Sequence, residues 1–107
     1  MAPRNQKVVE NGIISYFCKA SGNPAPDLHW RKNGRRISAT RQRYMVVDMP
    51  HGSVLRIEPV KSKRDDAMFE CVAENGIGEP ATASARLETY PEGESKSINY
   101  VNVSRVN

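Results

Sequence analysis

The chain is poor in the residues from which reaction centres are built. Its 107 residues include two cysteines, two histidines and one tryptophan, and aromatics make up 7% of the total. Two cysteines allow at most one internal disulfide, and with only two histidines a metal cage is hard to assemble. No apolar run approaches the roughly eighteen residues of a membrane-crossing helix. The opening residues, Met1-Ala2-Pro3-Arg4-Asn5-Gln6-Lys7, lack the apolar core of a secretory signal. If the protein is secreted, the expectation is a piece of a longer chain carrying an added initiating methionine. P-loop, G-x-G-x-x-G and C-x-x-C motifs are missing. A thiolate phosphate cradle needs Arg six positions after its Cys, but those positions hold Pro24 and Ile77. His29 is expected to point outward from a strand, and His51 lies in a Pro-Gly turn. These absences predict no catalytic residues, no metal ligands and no cofactor.

What is present is an ordinary globular balance, with 38% hydrophobic and 26% charged residues, at a length that suits one domain. The net charge is only +4, with a pI near 9.3, but it is unevenly placed. Between His29 and Arg64 there are ten basic residues and two acids, Asp48 and Glu58, a local charge of +8; the remainder carries −4. A strongly basic middle third between acidic flanks points to a polyanionic partner.

Hydrophobicity alternates with period two in short runs. Ile14, Tyr16 and Cys18 alternate with Ser15, Phe17 and Lys19, while Leu28 and Trp30 alternate with His29 and Arg31. Leu55 and Ile57 flank Arg56. Phe69, Cys71 and Ala73 alternate with Glu70, Val72 and Glu74, and Ala83, Ala85 and Leu87 with Ser84, Arg86 and Glu88. Turn residues separate the runs at Gly22–Pro26, Asn33-Gly34, Pro50–Gly52 and Asn75–Gly78. This is the pattern of an all-β sandwich. Asn33-Gly34 predicts a two-residue type I′ hairpin turn, with Arg31 and Lys32 on one arm and Arg35 and Arg36 on the other. We place the domain at 3–90. Residues 91–107 read as a linker or added tail, within which 98–103 has some strand character and Asn102-Val103-Ser104 is a weak glycosylation sequon.

Cys18, Trp30 and Cys71 are the informative trio, with twelve residues from the first to the second and fifty-three between the cysteines. That spacing fits an immunoglobulin sandwich, in which the tryptophan of strand C packs on a disulfide between strands B and F. The competing reading is two unrelated buried thiols in a cytosolic protein. Trp30-Arg31-Lys32-Asn33-Gly34, Ser53-x-Leu55-x-Ile57 and Asp65-x-Ala67-x-Phe69-x-Cys71-x-Ala73-x-Asn75-x-x-Gly78 resemble the I-set immunoglobulin family. The resemblance implies a Cys18–Cys71 disulfide and a core that includes Trp30, Leu55 and Phe69. It also implies that Asp65 pairs with a basic residue near strand D, here Arg43. One departure is Phe69, which stands where the family usually has the tyrosine of the tyrosine corner.

A narrower resemblance covers about Ile13 to Leu87. Arg35-Arg36 after the turn, Leu55-Arg56-Ile57-Glu58-Pro59 and Arg64-Asp65-Asp66-Ala67 are similar to the first immunoglobulin domain of LAR-type receptor protein tyrosine phosphatases. The resemblance implies an extracellular ectodomain that binds heparan and chondroitin sulfate chains of proteoglycans, in cell adhesion, axon guidance or synapse signalling. The site residues it implies are Lys32, Arg35 and Arg36 in the C–C′ hairpin and Lys61 and Arg64 in the EF segment. Arg31, Arg41, Arg43 and Lys63 are secondary members. The family's loop often carries Lys where this chain has Asn33, and a neutral residue where it has Arg31, so the charge shifts in phase. The alternatives are a protein–protein adhesion module of a cell-surface receptor and a structural I-set spacer. No nucleic-acid partner is expected, and membrane association only through the parent receptor.

Overall fold

The computed structural model describes residues 2–38, 40–50 and 52–92, without the side chains of Thr40 and Arg41. His51, segment 98–103 and Asn102 lie outside the described residues.

Nine strands form two sheets: β1 (Gln6–Val9), β2 (Ile14–Lys19), β3 (Asp27–Lys32), β4 (Arg35–Arg36), β5 (Thr40–Arg41), β6 (Tyr44–Met49), β7 (Gly52–Ile57), β8 (Ala67–Glu74) and β9 (Ala81–Tyr90). The first sheet runs β1-β9-β8-β3-β4 and the second β2-β7-β6-β5. Among the described residues there is no helix. The expected all-β, immunoglobulin-like sandwich is therefore the fold, with β3–β4 as its C–C′ hairpin and the β7–β8 connection as its EF segment.

The period-two runs produce this architecture because each strand has one face to bury. On β2, Ile14, Tyr16 and Cys18 face the core while Ser15 and Lys19 are exposed. Trp30, Leu55 and Phe69 are each at most 1% exposed and lie in one cluster with Ile57 and Leu87. Cys18 and Cys71 are bonded, with Cα atoms 6.4 Å apart, and join β2 of one sheet to β8 of the other. Closing a loop of 53 residues contributes about 4 kcal/mol in the chain-entropy model. Trp30 sits directly across the β3–β8 ladder from Cys71. Its indole Nε1 donates to Ser53 Oγ at 2.9 Å, and that hydroxyl donates to Asp48 Oδ1 at 2.9 Å. The buried indole therefore keeps a hydrogen bond that runs outward to an exposed carboxylate.

Phe69 packs between Tyr16 and Tyr44, with ring centroids 5.7 and 6.2 Å away. The aromatic cluster thus survives the loss of the tyrosine hydroxyl at position 69. The hydroxyl of Tyr16 is buried without a partner among the described residues, and burial pushes its pKa up to about 12.

The alternation breaks on β8. Val72 sits on the outer face of β8, as expected, yet is 1% exposed. His29 lies opposite it on β3, and its side chain is itself only 11% exposed rather than projecting freely into solvent.

Two outcomes follow. Thiol titration of the unfolded, unreduced protein should find no free cysteine. Tyr16→Phe removes an unpaired buried hydroxyl while keeping the ring, and should raise unfolding stability by about 1 kcal/mol in urea titration.

Candidate anion-binding site

The basic segments are brought together because several strands begin or end at the same end of the sandwich. Strand β3 runs to Lys32 and meets the start of β8, since Lys32 is opposite Phe69. Strand β7 ends at Ile57 opposite Tyr44, the first residue of β6. The C–C′ turn, the β5–β6 turn and the EF segment therefore share one end.

At the hairpin, Asn33 and Gly34 have φ of 48° and 85°, the two left-handed residues of a type I′ turn. Asn33 is held in place on both sides. Its amide donates to the Met68 carbonyl at 2.8 Å, and its Oδ1 accepts from the Met68 amide at 3.0 Å. This explains why asparagine suits a position where a lysine would add charge. It tolerates positive φ and ties the turn to β8.

Across the hairpin, Arg31 is opposite Arg36 and Lys32 is opposite Arg35. The strand alternation divides these four cations between two faces. Lys32 shares the face of buried Trp30 and turns toward the second sheet, where its Nζ lies 5.5 Å from the centre of the Tyr44 ring. Arg31 and Arg36 lie on the opposite, outer face, beside His29. An open hollow of about 300 Å³ lies between the hairpin and the β5–β6 turn; Lys32, Arg35, Arg36, Gln42 and Tyr44 are on its walls. Among the described residues, no carboxylate lies within ion-pair distance of Arg31, Lys32, Arg35 or Arg36.

Arg43 belongs to a different arrangement. Its guanidinium donates to Asp65 at 2.5 and 3.3 Å and to the Pro59 carbonyl at 2.8 Å. The pairing expected between Asp65 and Arg43 is present, and it ties the turn before β6 to the EF segment. The Asp65 carboxylate is fully buried and also accepts from the Lys61 amide at 2.6 Å and the Tyr44 hydroxyl at 2.5 Å. Burial alone would raise its pKa, but Arg43, the Lys61 amide and Tyr44 outweigh burial and hold it below the usual value. With its charge balanced in this way, Arg43 supports the site and has little left to offer a ligand.

The EF cations spread out. Arg64 and Lys63 are exposed and, among the described residues, have no carboxylate partner. Lys61 reaches the other way, its Nζ donating to Asn11 Oδ1 at 3.4 Å on the β1–β2 turn. Since β1 and β4 are opposite edges of their sheet, Lys61 is turned away from the hairpin. Arg41 lies on β5, and its side chain lies outside the described residues. Arg56 pairs with Glu58 at 2.7 Å on the outer face of the second sheet. Asp66, the neighbour of Asp65, faces Arg86 and the Thr89 amide instead, so the two carboxylates share no chemistry. Among the described residues no group of His, Cys, Asp or Glu is placed to hold a metal ion. The one residue that sequence reasoning missed is His29. It was set aside as a surface side chain, and only the register puts it beside Arg31 and Arg36.

The immunoglobulin-domain family model matches residues 1–75. The chain belongs to the immunoglobulin-domain family. It is 52% identical over 99 residues to tyrosine-protein phosphatase Lar of Drosophila melanogaster, a match covering 92% of this chain and 5% of that protein. Against receptor-type tyrosine-protein phosphatase F of Homo sapiens the identity is 40% over 90 residues, covering 84% and 5%. The crystal structure of the N-terminal Ig1-2 module of the Drosophila receptor protein tyrosine phosphatase DLAR matches with a TM-score of 0.83 at 47% identity, over 88% of this chain and 48% of that one. These similarities fit a first immunoglobulin domain of a LAR-type phosphatase. This immunoglobulin domain spans about 5% of the length of those curated relatives.

Removing the buried carboxylate should be costly. Asp65→Ala leaves Arg43, the Lys61 amide and Tyr44 without their acceptor and should lower stability by about 3 kcal/mol in urea titration. The pH dependence has a definite sign. Because the folded pKa of Asp65 lies below its ordinary 3.8, its contribution is complete above that value and is lost as pH falls through the folded one. Asp65→Asn should therefore flatten the acid limb of the stability curve.

Proposed function

We propose that this domain is an ectodomain module of a LAR-type receptor phosphatase at the cell surface, and that it captures sulfated glycosaminoglycan chains of proteoglycans. The observation that carries this reading is the set of four hairpin cations, among the described residues without a carboxylate partner, held on a tight turn pinned to β8. Arginine presents a planar fork that grips a sulfo group with two parallel hydrogen bonds. A linear sulfated sugar offers such groups at intervals and releases its condensed counterions when they are matched, as nucleic acid does. Lys32, Arg35 and Arg36 would make the main contacts. Arg64 and Lys63 would extend the line along the same end, and Lys61 would join after its side chain swings from Asn11. Binding there would set how the receptor clusters or what it can reach.

Heparin chromatography in rising salt tests this. Binding should weaken with a log K against log[salt] slope of roughly −3 to −5. Arg35→Glu/Arg36→Glu should elute at markedly lower salt. Unchanged elution by a variant with intact near-ultraviolet circular dichroism would overturn the reading.

A protein-adhesion role is favoured by a different observation. On the outer face of the second sheet, Met45, Val47 and Met49 of β6 are 47, 45 and 39% exposed. Phe17 and Val54 lie in the same row as Val47. This apolar strip suits a cell-surface protein partner, with the basic end steering the approach. Such binding should persist at about 0.5 M salt, where the Debye length is roughly 4–5 Å, and be lost in Val47→Asp.

A further inference from the structure

The hairpin has two cationic faces; Lys32 and Arg35 of one line the hollow, and Arg36 of the other reaches its rim. Lys32 and Arg35 look toward the second sheet. Arg31 and Arg36, directly paired across β3 and β4, look out from the first. His29 is two residues from Arg31 on the same strand and therefore on the same face, about 7 Å along it. It is the third basic side chain of that face at the β3–β4 edge.

The surroundings of His29 are specific. From β8, Val72 sits directly opposite, and Glu74 Oε1 lies 3.7 Å from the His29 Nδ1. Glu70 is opposite Arg31 on β8. From β4 comes Arg36, and on β3 itself Asp27 and Arg31 flank the ring at two-residue spacing. One carboxylate near enough to help a proton on is thus set against two arginines and a largely covered ring. Burial leads in lowering the imidazole pKa below 6.5, followed by the charge of Arg36, with Glu74 opposing and Arg31 adding. In the unliganded domain the ring is therefore held neutral at physiological pH. It is a latent charge beside two permanent ones.

Resting on the polyanion reading above, we propose that Arg31, Arg36 and His29 form a second anion-contact line on the outer face of the first sheet, and that a sulfo group seated there is accompanied by uptake of a proton on His29. The anion cancels the field of the two arginines, which is the part of the environment that a ligand can change. The imidazolium then adds a third charge-assisted donor. Glu70 and Glu74 border the line on β8 and confine the ligand to the β3–β4 edge. By linkage, proton uptake on binding means that affinity rises as pH falls through the histidine range. The groove-facing pair, Lys32 and Arg35, has no titrating partner of this kind, so its contribution should not vary with pH between 5.5 and 7.5.

Heparin titration at pH 7.5 and 5.5 is the test, with the His29 ring proton followed by NMR on the wild type. The wild type should bind several-fold more tightly at pH 5.5, and saturating heparin should move the His29 titration to higher pH. His29→Gln should lose the gain between pH 7.5 and 5.5, whereas His51→Gln, at the only other histidine, should retain it. Lys32→Gln/Arg35→Gln should weaken binding at both pH values and leave the gain in place. An unmoved His29 titration, or a gain that survives in His29→Gln, overturns the second line while leaving glycosaminoglycan capture standing. No binding at either pH overturns both.

Discussion

The carboxylate of Asp65 organises the end of the sandwich on which the functional reading rests. It is fully buried, and it accepts from Arg43, Tyr44 and the Lys61 amide. A lone buried carboxylate is costly enough that a protein tends to neutralise it. Here three donors from two segments remove that cost together, and each is fixed in place by doing so. The turn before β6 is joined to the EF segment, and both are set against the aromatic cluster of Tyr44, Phe69 and Tyr16. The disulfide and Trp30 hold the two sheets together at their centre. Asp65 decides how their lower connections meet.

This has a consequence for charge. Arg43 is one of ten basic residues in the middle third, yet its charge is consumed inside the fold. Arg56 is paired with Glu58 on the exposed face of the second sheet. What remains is concentrated on the hairpin, where directly opposed Arg31–Arg36 and Lys32–Arg35 pairs repel. A rigid type I′ turn tied to β8 through Asn33 tolerates that repulsion without opening. Like charges held close at a small conformational cost are what a polyanion can exploit, since binding relieves the repulsion as well as forming new contacts.

The fold was legible because its signals were local or evenly spaced. Alternation at Ile14–Cys18, the Asn33-Gly34 turn and the Cys18–Trp30–Cys71 spacing each carry their own physical reason, and the Asp65–Arg43 pair came with the family pattern. The site was only half legible. Charge counting finds cations but not which way they face, and a strand's alternation sends Lys32 and Arg31 to opposite faces however close they are in sequence. Lys61 was read as part of the same patch as the hairpin, while its side chain reaches toward Asn11, a contact fifty residues away that no local pattern announces. His29 was read as a solvent-facing residue. Its place opposite Val72 and beside Arg36 depends on strand register alone.

The central claim is that the hairpin end, and not the apolar strip on the second sheet, is where a sulfated chain is held. Amide chemical shifts of the 15N-labelled domain during titration with a short heparin oligosaccharide test it most directly. The account predicts that residues 31–36 shift first and most, followed by 62–64, and that Met45–Met49 stay still. Shifts concentrated on Met45–Met49, or spread evenly over the surface, would contradict it.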